Sequence, residues 1–461
     1  MKNERLLSLR NQMKEAGVHC MVIPTSDYHN SEYVSDFFMA RKYFSGFTGS
    51  AGTLVVTPDE AALFTDGRYF IQAAKELKDS GITLMKMGEP EVPTMTEYVD
   101  QKLQQGWTLC FDGRVLTSSK GSELEEIVRK HGGQLRFDLD LCDAAWENRP
   151  ALIHHPVFVL SEEYAGESVE EKLTRVREEM KKEEAGIHVL TSLDDIAWLY
   201  NIRSNDVECC PVVLAYTMVT KDRALLFAEE GFAAGEDTSA RERMEKAGVE
   251  IYPYDRFYEM LSSVAAQAAK EEQASGIWID ESRVNFRVLE ELQKICVNAQ
   301  GAQAGPVLLN RENPTTLMKS IKNETELKHT RRAHIKDAVA VTRFMYWLKK
   351  NIGSIPMDSE APGQVSDVKV TNVPGGADLS YKIPEDNDLL YVKATYELEN
   401  GTQSSVMVSM YENTLKIRGF AKPEERRVMI TTGDRSGNES EPVSVSISPM
   451  RSPIFDVLES V

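Results

Sequence analysis

The stretch MKEAGVHCMVIPTSD (Met13 to Asp27) returns as KKEEAGIHVLTSLDD (Lys181 to Asp195), and this internal repeat constrains the fold more than any other feature. Each copy carries the charged end of a helix, an Ala-Gly stop where glycine ends the helix, and then an apolar strand. A second pair keeps the same order, since GTLVVTPDEAALFTD (Gly52 to Asp66) resembles LAYTMVTKDRALLFA (Leu214 to Ala228). Helices and strands alternate along both copies, so two related domains are expected in tandem, each a mixed sheet covered by helices.

In the first copy, periodicity predicts a helix over 3–16, strands near 19–23, 53–56 and 62–64, and a helix over 68–78. A strand over 83–86, a helix over 94–104, a strand over 107–111 and a helix over 122–130 follow. The second copy predicts a helix over 169–184, a strand over 187–191 and a short helix over 193–200. Strands over 212–219 and 224–227, a helix over 257–270, a strand over 277–280 and a helix over 286–296 close it. Around WENRPALIHHP (Trp146 to Pro156) the periodicity fades and prolines gather, which gives expected domains at 1–150 and 160–315.

Charge narrows the partners. A formal net charge of −19 repels nucleic-acid backbones and anionic membrane surfaces, so neither is an expected partner. No uninterrupted apolar run approaches the roughly 18 residues needed to cross a bilayer. The opening MKNERLLSLRNQMKEAG is charged throughout and does not read as a signal peptide, so the cytoplasm is the expected location. None of the six cysteines sits in a CxxC pair or near histidines at zinc-finger spacing. The adjacent Cys209 and Cys210 are read as free, buried thiols on an extended segment, where neighbouring side chains point apart.

Asn323 is placed to cap a long helix with Glu324 and Glu326 in its first turn and no glycine or proline before Gly353. Its apolar set, Ala333, Ile335, Ala338, Val339, Val341, Phe344, Met345 and Leu348, forms a broad stripe of the kind that packs against a sheet. No such sheet follows directly. Beyond Pro362 the chain breaks into about seven short alternating runs separated by turn residues, the pattern of a β-sandwich, with neither cysteine nor histidine. Runs Leu389 to Glu397 and Ser405 to Tyr411 are joined through Asn400-Gly401, a hairpin signal. A seam between unlike modules is therefore expected between Asn351 and Ser359, the mark of a fused or chimeric chain.

Four separated motifs carry a family resemblance: YFSGFTGSAGTLVVT (Tyr43 to Thr57), LFTDGRYFIQA (Leu63 to Ala73), LDDIAWLYNIR (Leu193 to Arg203) and MKSIKNETELKHTRRAHIKDAVAV (Met318 to Val341). Together they resemble aminopeptidase P, the Xaa-Pro aminopeptidases related to creatinase, over residues 1–353. The resemblance implies an α/β class with two tandem creatinase N-terminal-type mixed-sheet domains, and 316–353 as the first helix of a pita-bread catalytic domain cut short. The C-terminal part, 360–450, resembles a fibronectin type III-like module of bacterial surface lipoproteins, an all-β immunoglobulin-like sandwich, most clearly in TTGDRSGNESEPVSVSI (Thr431 to Ile447).

The family removes an N-terminal residue that precedes proline, using two divalent metals, commonly manganese, held by two aspartates, one histidine and two glutamates. All five ligands lie beyond the helix that ends near Gly353. The last histidine of the chain is His334, inside that helix, and no DSGGQY-like strand, HGxGH segment or EPG glutamate follows. His154 and His155 read as a solvated turn, and His329 and His334, five apart, miss the i, i+4 spacing of a helical metal pair. No metal, cofactor or catalytic residue is therefore expected in this chain. Arg41, Asp66 and Arg68 are the candidates for contact with a peptide, because the resemblance implies that this domain borders the active-site entrance. Asp66 and Arg68 have a structural reading too, a helix cap and a local ion pair. The glycines of SGFTGSAG (Ser45 to Gly52) lack the Lys-Ser/Thr of a phosphate loop and read as a tight turn.

The expected function is that of an aminopeptidase P-like protein without its dinuclear centre, inactive alone and pairing with itself or an intact homologue through its N-terminal domains. The alternative is a binding or scaffold protein whose C-terminal module contacts protein or glycan.

Overall fold

The computed structural model describes residues 2–235, 238–271, 276–298, 306–351, 360–386 and 388–451. The expected seam beyond Asn351 lies outside them. The chain forms two compact units, Met1–Ile335 and Lys336–Val461, and the helix Glu324–Asn351 carries the boundary.

The first unit contains two six-stranded sheets of one topology. In the first, the strand order is Thr83–Lys86, Ala61–Thr65, Thr53–Val56, Cys20–Pro24, Thr108–Cys110, Gln134–Arg136. In the second it is Val249–Tyr252, Ala224–Phe227, Tyr216–Thr220, Ala185–Leu190, Gly276–Ile279, Leu308–Asn310. Both run parallel, antiparallel, antiparallel, parallel, parallel across the sheet. The repeat extends to single side chains. His19 stacks on Trp107 with ring centroids 5.3 Å apart, and its counterpart His188 lies 5.1 Å from Trp278.

Several elements differ from the sequence reading. Strand 212–219 contracts to Tyr216–Thr220, and the helix expected over 68–78 spans only Phe70–Glu76. The helix expected to start at 122 starts at Ser118, where the Thr117 hydroxyl accepts the amide of Lys120. Gly121 therefore lies inside the helix. A Cβ there would sit 2.2 Å from the Phe286 ring, so the glycine leaves room for that ring and does not break the helix. Strands Gln134–Arg136, Val249–Tyr252 and Leu308–Asn310 and helices Ala40–Ser45 and Ser239–Lys246 were not legible.

The two α/β domains exchange side chains across their junction. Phe286, from the second, is fully buried in the first domain's core beside Phe111 and Leu124, while Tyr28 and Phe38 of the first lie in the second domain's core. Backbone bonds flank the exchange: Phe286 N–H donates to Leu116 O at 2.9 Å and Arg287 N–H to Gly113 O at 3.0 Å. Asn285 Nδ2 adds a 2.8 Å bond to Tyr28 O. Buried His29 bridges the same junction, with Nδ1 2.8 Å from Thr191 O and Nε2 2.7 Å from the Tyr254 hydroxyl.

The core histidines set an acid limit. His188 lies within the second sheet with Nδ1 3.2 Å from Trp278 O and no partner on Nε2. Burial pulls its pKa from 6.5 down to about 4. The fold holds the neutral ring, so this contribution is complete above pH 6.5 and is lost as pH falls toward 4, on the order of 2–3 kcal/mol. Burial lowers His29 as well. Chemical denaturation between pH 7 and 4.5 should show this loss, and His188→Gln should flatten the slope; an equal slope in the variant assigns the loss elsewhere.

The second unit, after the end of the long helix, is all-β. A three-stranded antiparallel sheet orders Ser366–Val373, Gly376–Lys382, Thr414–Arg418, and a four-stranded one orders Gln403–Ser409, Leu389–Glu397, Arg426–Asp434, Val443–Ile447. One core, including Leu379, Val392, Leu415, Ile417, Val428 and Ile430, draws on both sheets. The Asn400-Gly401 hairpin forms as expected, with Gly401 at φ 78° and Leu398 N–H bonded to Thr402 O at 2.8 Å.

Candidate functional site

Asp66 follows the strand Ala61–Thr65 at an exposed corner of the first sheet. Its Oδ1 accepts the Arg68 amide at 3.1 Å and Arg68 Nε at 2.9 Å, and its Oδ2 accepts a terminal guanidinium nitrogen at 2.8 Å. The expected helix cap is not made: the helix begins at Phe70, and Asp66 closes a turn before it. Arg68 pairs with this carboxylate, holding it below the usual carboxylate range, and its guanidinium lies 5.2 Å from the Tyr69 ring centroid. Beside it the Tyr69 hydroxyl is 2.6 Å from Ser50 Oγ, and Thr48 donates its amide and hydroxyl to Glu76 at 2.8 and 2.6 Å. The corner is polar and exposed, with Asp66 and Arg68 paired to each other, which suits surface contact better than chemistry.

Arg41 is not on that surface. It is 1% exposed and donates to Thr25 Oγ1 at 2.8 Å, to Phe47 O at 2.7 Å and to Gly49 O. Burial draws its pKa down to about 10. Its guanidinium pins loop Gly46–Ser50 from beneath, which sets Thr48 and Ser50 against Glu76 and Tyr69. Arg41 thus supports the corner without facing a ligand. Gly46 ends the helix Ala40–Ser45 at φ 72°, and a Cβ on Gly49 would lie 2.2 Å from the Phe47 ring, so this stretch is a closely packed loop.

The remaining candidates also fall into place. His154 is not solvated: its Nδ1 is buried and its ring lies 5.2 Å from that of Tyr254. His155 is partly exposed, with Nδ1 3.4 Å from the buried Asp206 carboxylate. His329 Nε2 is 3.0 Å from Glu163 O. Among the described residues no group of three or more His, Cys, Asp or Glu side chains is arranged to hold a metal ion, so they do not fit a dinuclear manganese centre. Cys209 is exposed and Cys210 half-buried, because the segment is a turn and not extended: Cys210 N–H bonds Val207 O at 3.1 Å and Cys209 has φ 60°.

The long helix is capped as expected, with Glu326 N–H on Asn323 Oδ1 at 2.9 Å and Asn323 N–H on Glu326 Oε2 at 3.0 Å. None of its residues is buried. Ile335, Val339, Val341, Phe344, Met345, Tyr346 and Trp347 are all exposed, so the expected stripe is not packed away. No described helix is long and apolar enough to cross a membrane.

Residues 5–135 and 148–326 each match the Creatinase/Prolidase N-terminal domain, and 362–449 match a domain of unknown function, DUF4959. A protein of Sordaria macrospora named "Probable Xaa-Pro aminopeptidase P" is 37% identical over 359 residues, covering 76% of this chain and 55% of that protein. A protein of Coprinopsis cinerea with the same name is 32% identical over 445 residues, covering 92% of this chain and 70% of its own length. The chain thus spans little more than half of some relatives it matches. The crystal structure of an X-prolyl aminopeptidase from Caenorhabditis elegans superposes with a TM-score of 0.68 at 24% identity, covering 99% of this chain and 71% of that one, which supports the fold. With two N-terminal domains of this type in order and relatives above 30% identity across most of both chains, the protein belongs to the Xaa-Pro aminopeptidase P family.

Proposed function

We propose that this chain is a non-catalytic aminopeptidase P-family protein that works through its surfaces, without a dinuclear metal centre of its own. The donor inventory carries the reading: no histidine follows His334, and the described residues offer no cluster of metal-binding side chains. Two bridging metals activate water and polarise the scissile carbonyl when they are bound, and the described residues supply no seat for them. Segment 316–353 would be the opening of the family's catalytic domain, which agrees with a helix that buries none of its residues and leaves Phe344, Met345 and Trp347 exposed. Residues 1–150 and 160–315 would be the family's two accessory domains, acting in the cytoplasm and pairing with another copy or with a complete homologue.

The second reading is a scaffold role for 360–450 as a fibronectin type III-like, immunoglobulin-like sandwich that contacts protein or glycan. Two antiparallel sheets over one core favour it. Incubating the purified chain with manganese and an Xaa-Pro peptide should release no N-terminal residue above the protein-free control. Turnover abolished by a chelator would reverse the proposal.

A further inference from the structure

The strand Gln403–Ser409, QSSVMVS, lies at the edge of the four-stranded sheet and pairs on one side only, with Leu389–Glu397. Edge strands leave a row of N–H and C=O groups unpaired, and natural proteins protect them with charge, proline or a bulge. This one has none of the three: it carries no charged residue and no proline, and its register to Leu389–Glu397 is continuous. The other edges differ. Ser366–Val373 has a register break and carries Asp367 and Lys369, Thr414–Arg418 carries Lys416 and Arg418, and Val443–Ile447 is a shorter strand between Pro442 and Pro449.

Hydrogen-bond parity fixes which groups face outward. Met410 N–H bonds Leu390 O at 3.1 Å and Leu398 N–H bonds Thr402 O at 2.8 Å. Antiparallel ladders alternate, so Ser404, Val406 and Val408 point their backbone groups at the neighbouring strand, while Ser405 and Met407 point theirs away. The side chains leave a second incomplete surface. Val406 and Val408 reach the core yet stay half-covered, and Met407 is exposed on the opposite face.

We infer that this edge pairs with the same strand of a second copy, antiparallel about a two-fold axis at Val406, joining two four-stranded sheets into one. In that register Ser405 faces Met407 of the partner copy, and both present outward backbone groups, so the ladder closes without a bulge. Val406 faces its own counterpart at a non-hydrogen-bonded position, where cross-strand side chains lie closest. Every facing pair is uncharged, and the half-covered valines gain a cover. A shift of the axis by one residue would leave residues at one end without partners. The inference concerns the C-terminal module and holds whether or not the chain lacks catalysis.

Sedimentation of the full chain over a concentration series should show a reversible dimer that tightens with salt, because each copy carries a net charge of −19. Val406→Lys should weaken it at least about tenfold by placing two like charges at the axis. Ser405→Lys, on the exposed face where folding tolerates it, should act in the same direction, whereas Met429→Lys on an interior strand should not. Val406→Cys under mild oxidation should yield a bond between residue 406 of each copy, located by peptide mass. A monomer at every concentration overturns the inference. So does a dimer that Val406→Lys and Ser405→Lys leave intact, or one lost on substituting Phe344 in the helix.

Discussion

Phe286→Ala is expected to destabilise the first unit by about 3–5 kcal/mol, the range for emptying a buried aromatic site. The ring is 0% exposed, meets Phe111 and Phe137 at centroid distances of 5.4 and 5.2 Å, and lies against Gly121. Because it belongs to the second domain and fills the first domain's core, its loss should also loosen the junction, which proteolysis of the 146–156 connection would report. Urea denaturation measures the energy. Gly121→Ala supplies the partner experiment. Alanine in a helix normally gains about 1 kcal/mol over glycine, but here its methyl would meet the Phe286 ring. Gly121→Ala should therefore destabilise the parent and cost less in the Phe286→Ala background, where only the Cβ of residue 286, 2.8 Å away, is left to be met. A loss below about 1 kcal/mol for Phe286→Ala would show that the domains do not depend on this ring.

Arg41→Ala is expected to cost about 3 kcal/mol or more, because the Phe47 and Gly49 carbonyls would be left buried without donors. Arg68→Ala should leave the denaturation midpoint unchanged, since Arg68 is a 69%-exposed side chain paired only across a turn. Two arginines that look alike in the sequence as ligand candidates therefore separate into an internal brace and a surface group. If Arg41→Ala and Arg68→Ala denature together, the loop Gly46–Ser50 does not rely on the buried guanidinium.

These two arginines also show what the sequence could carry. The repeat was legible because its signal is local: an Ala-Gly helix stop followed by an apolar strand recurs at Met13 and Lys181, and the two sheets share one strand order. The long helix was legible from Asn323 and its acidic first turn. Burial across elements was not. Arg41 reads as a surface cation until the carbonyls of the 46–50 loop fold over it, and His154 reads as solvated until Tyr254 packs on its ring. The helix over 122–130 was expected to begin after Gly121, whose partner Phe286 lies far along the chain. Short edge strands such as Gln134–Arg136, with only three residues, hold too few alternations to register.

The helix Glu324–Asn351 exposes large apolar side chains in its second half. Large apolar side chains on a helix ordinarily pack against another element. Here Phe344 and Trp347 stack on one another at 6.2 Å while both remain exposed. Among the described residues, the next element is the strand Ser366–Val373 of an antiparallel sheet.

Manganese stoichiometry on the purified full-length chain tests the account most directly. Equilibrium dialysis followed by elemental analysis should find no manganese retained above the buffer blank. Two ions held per chain, removable by chelator together with release of the residue preceding proline, would contradict it.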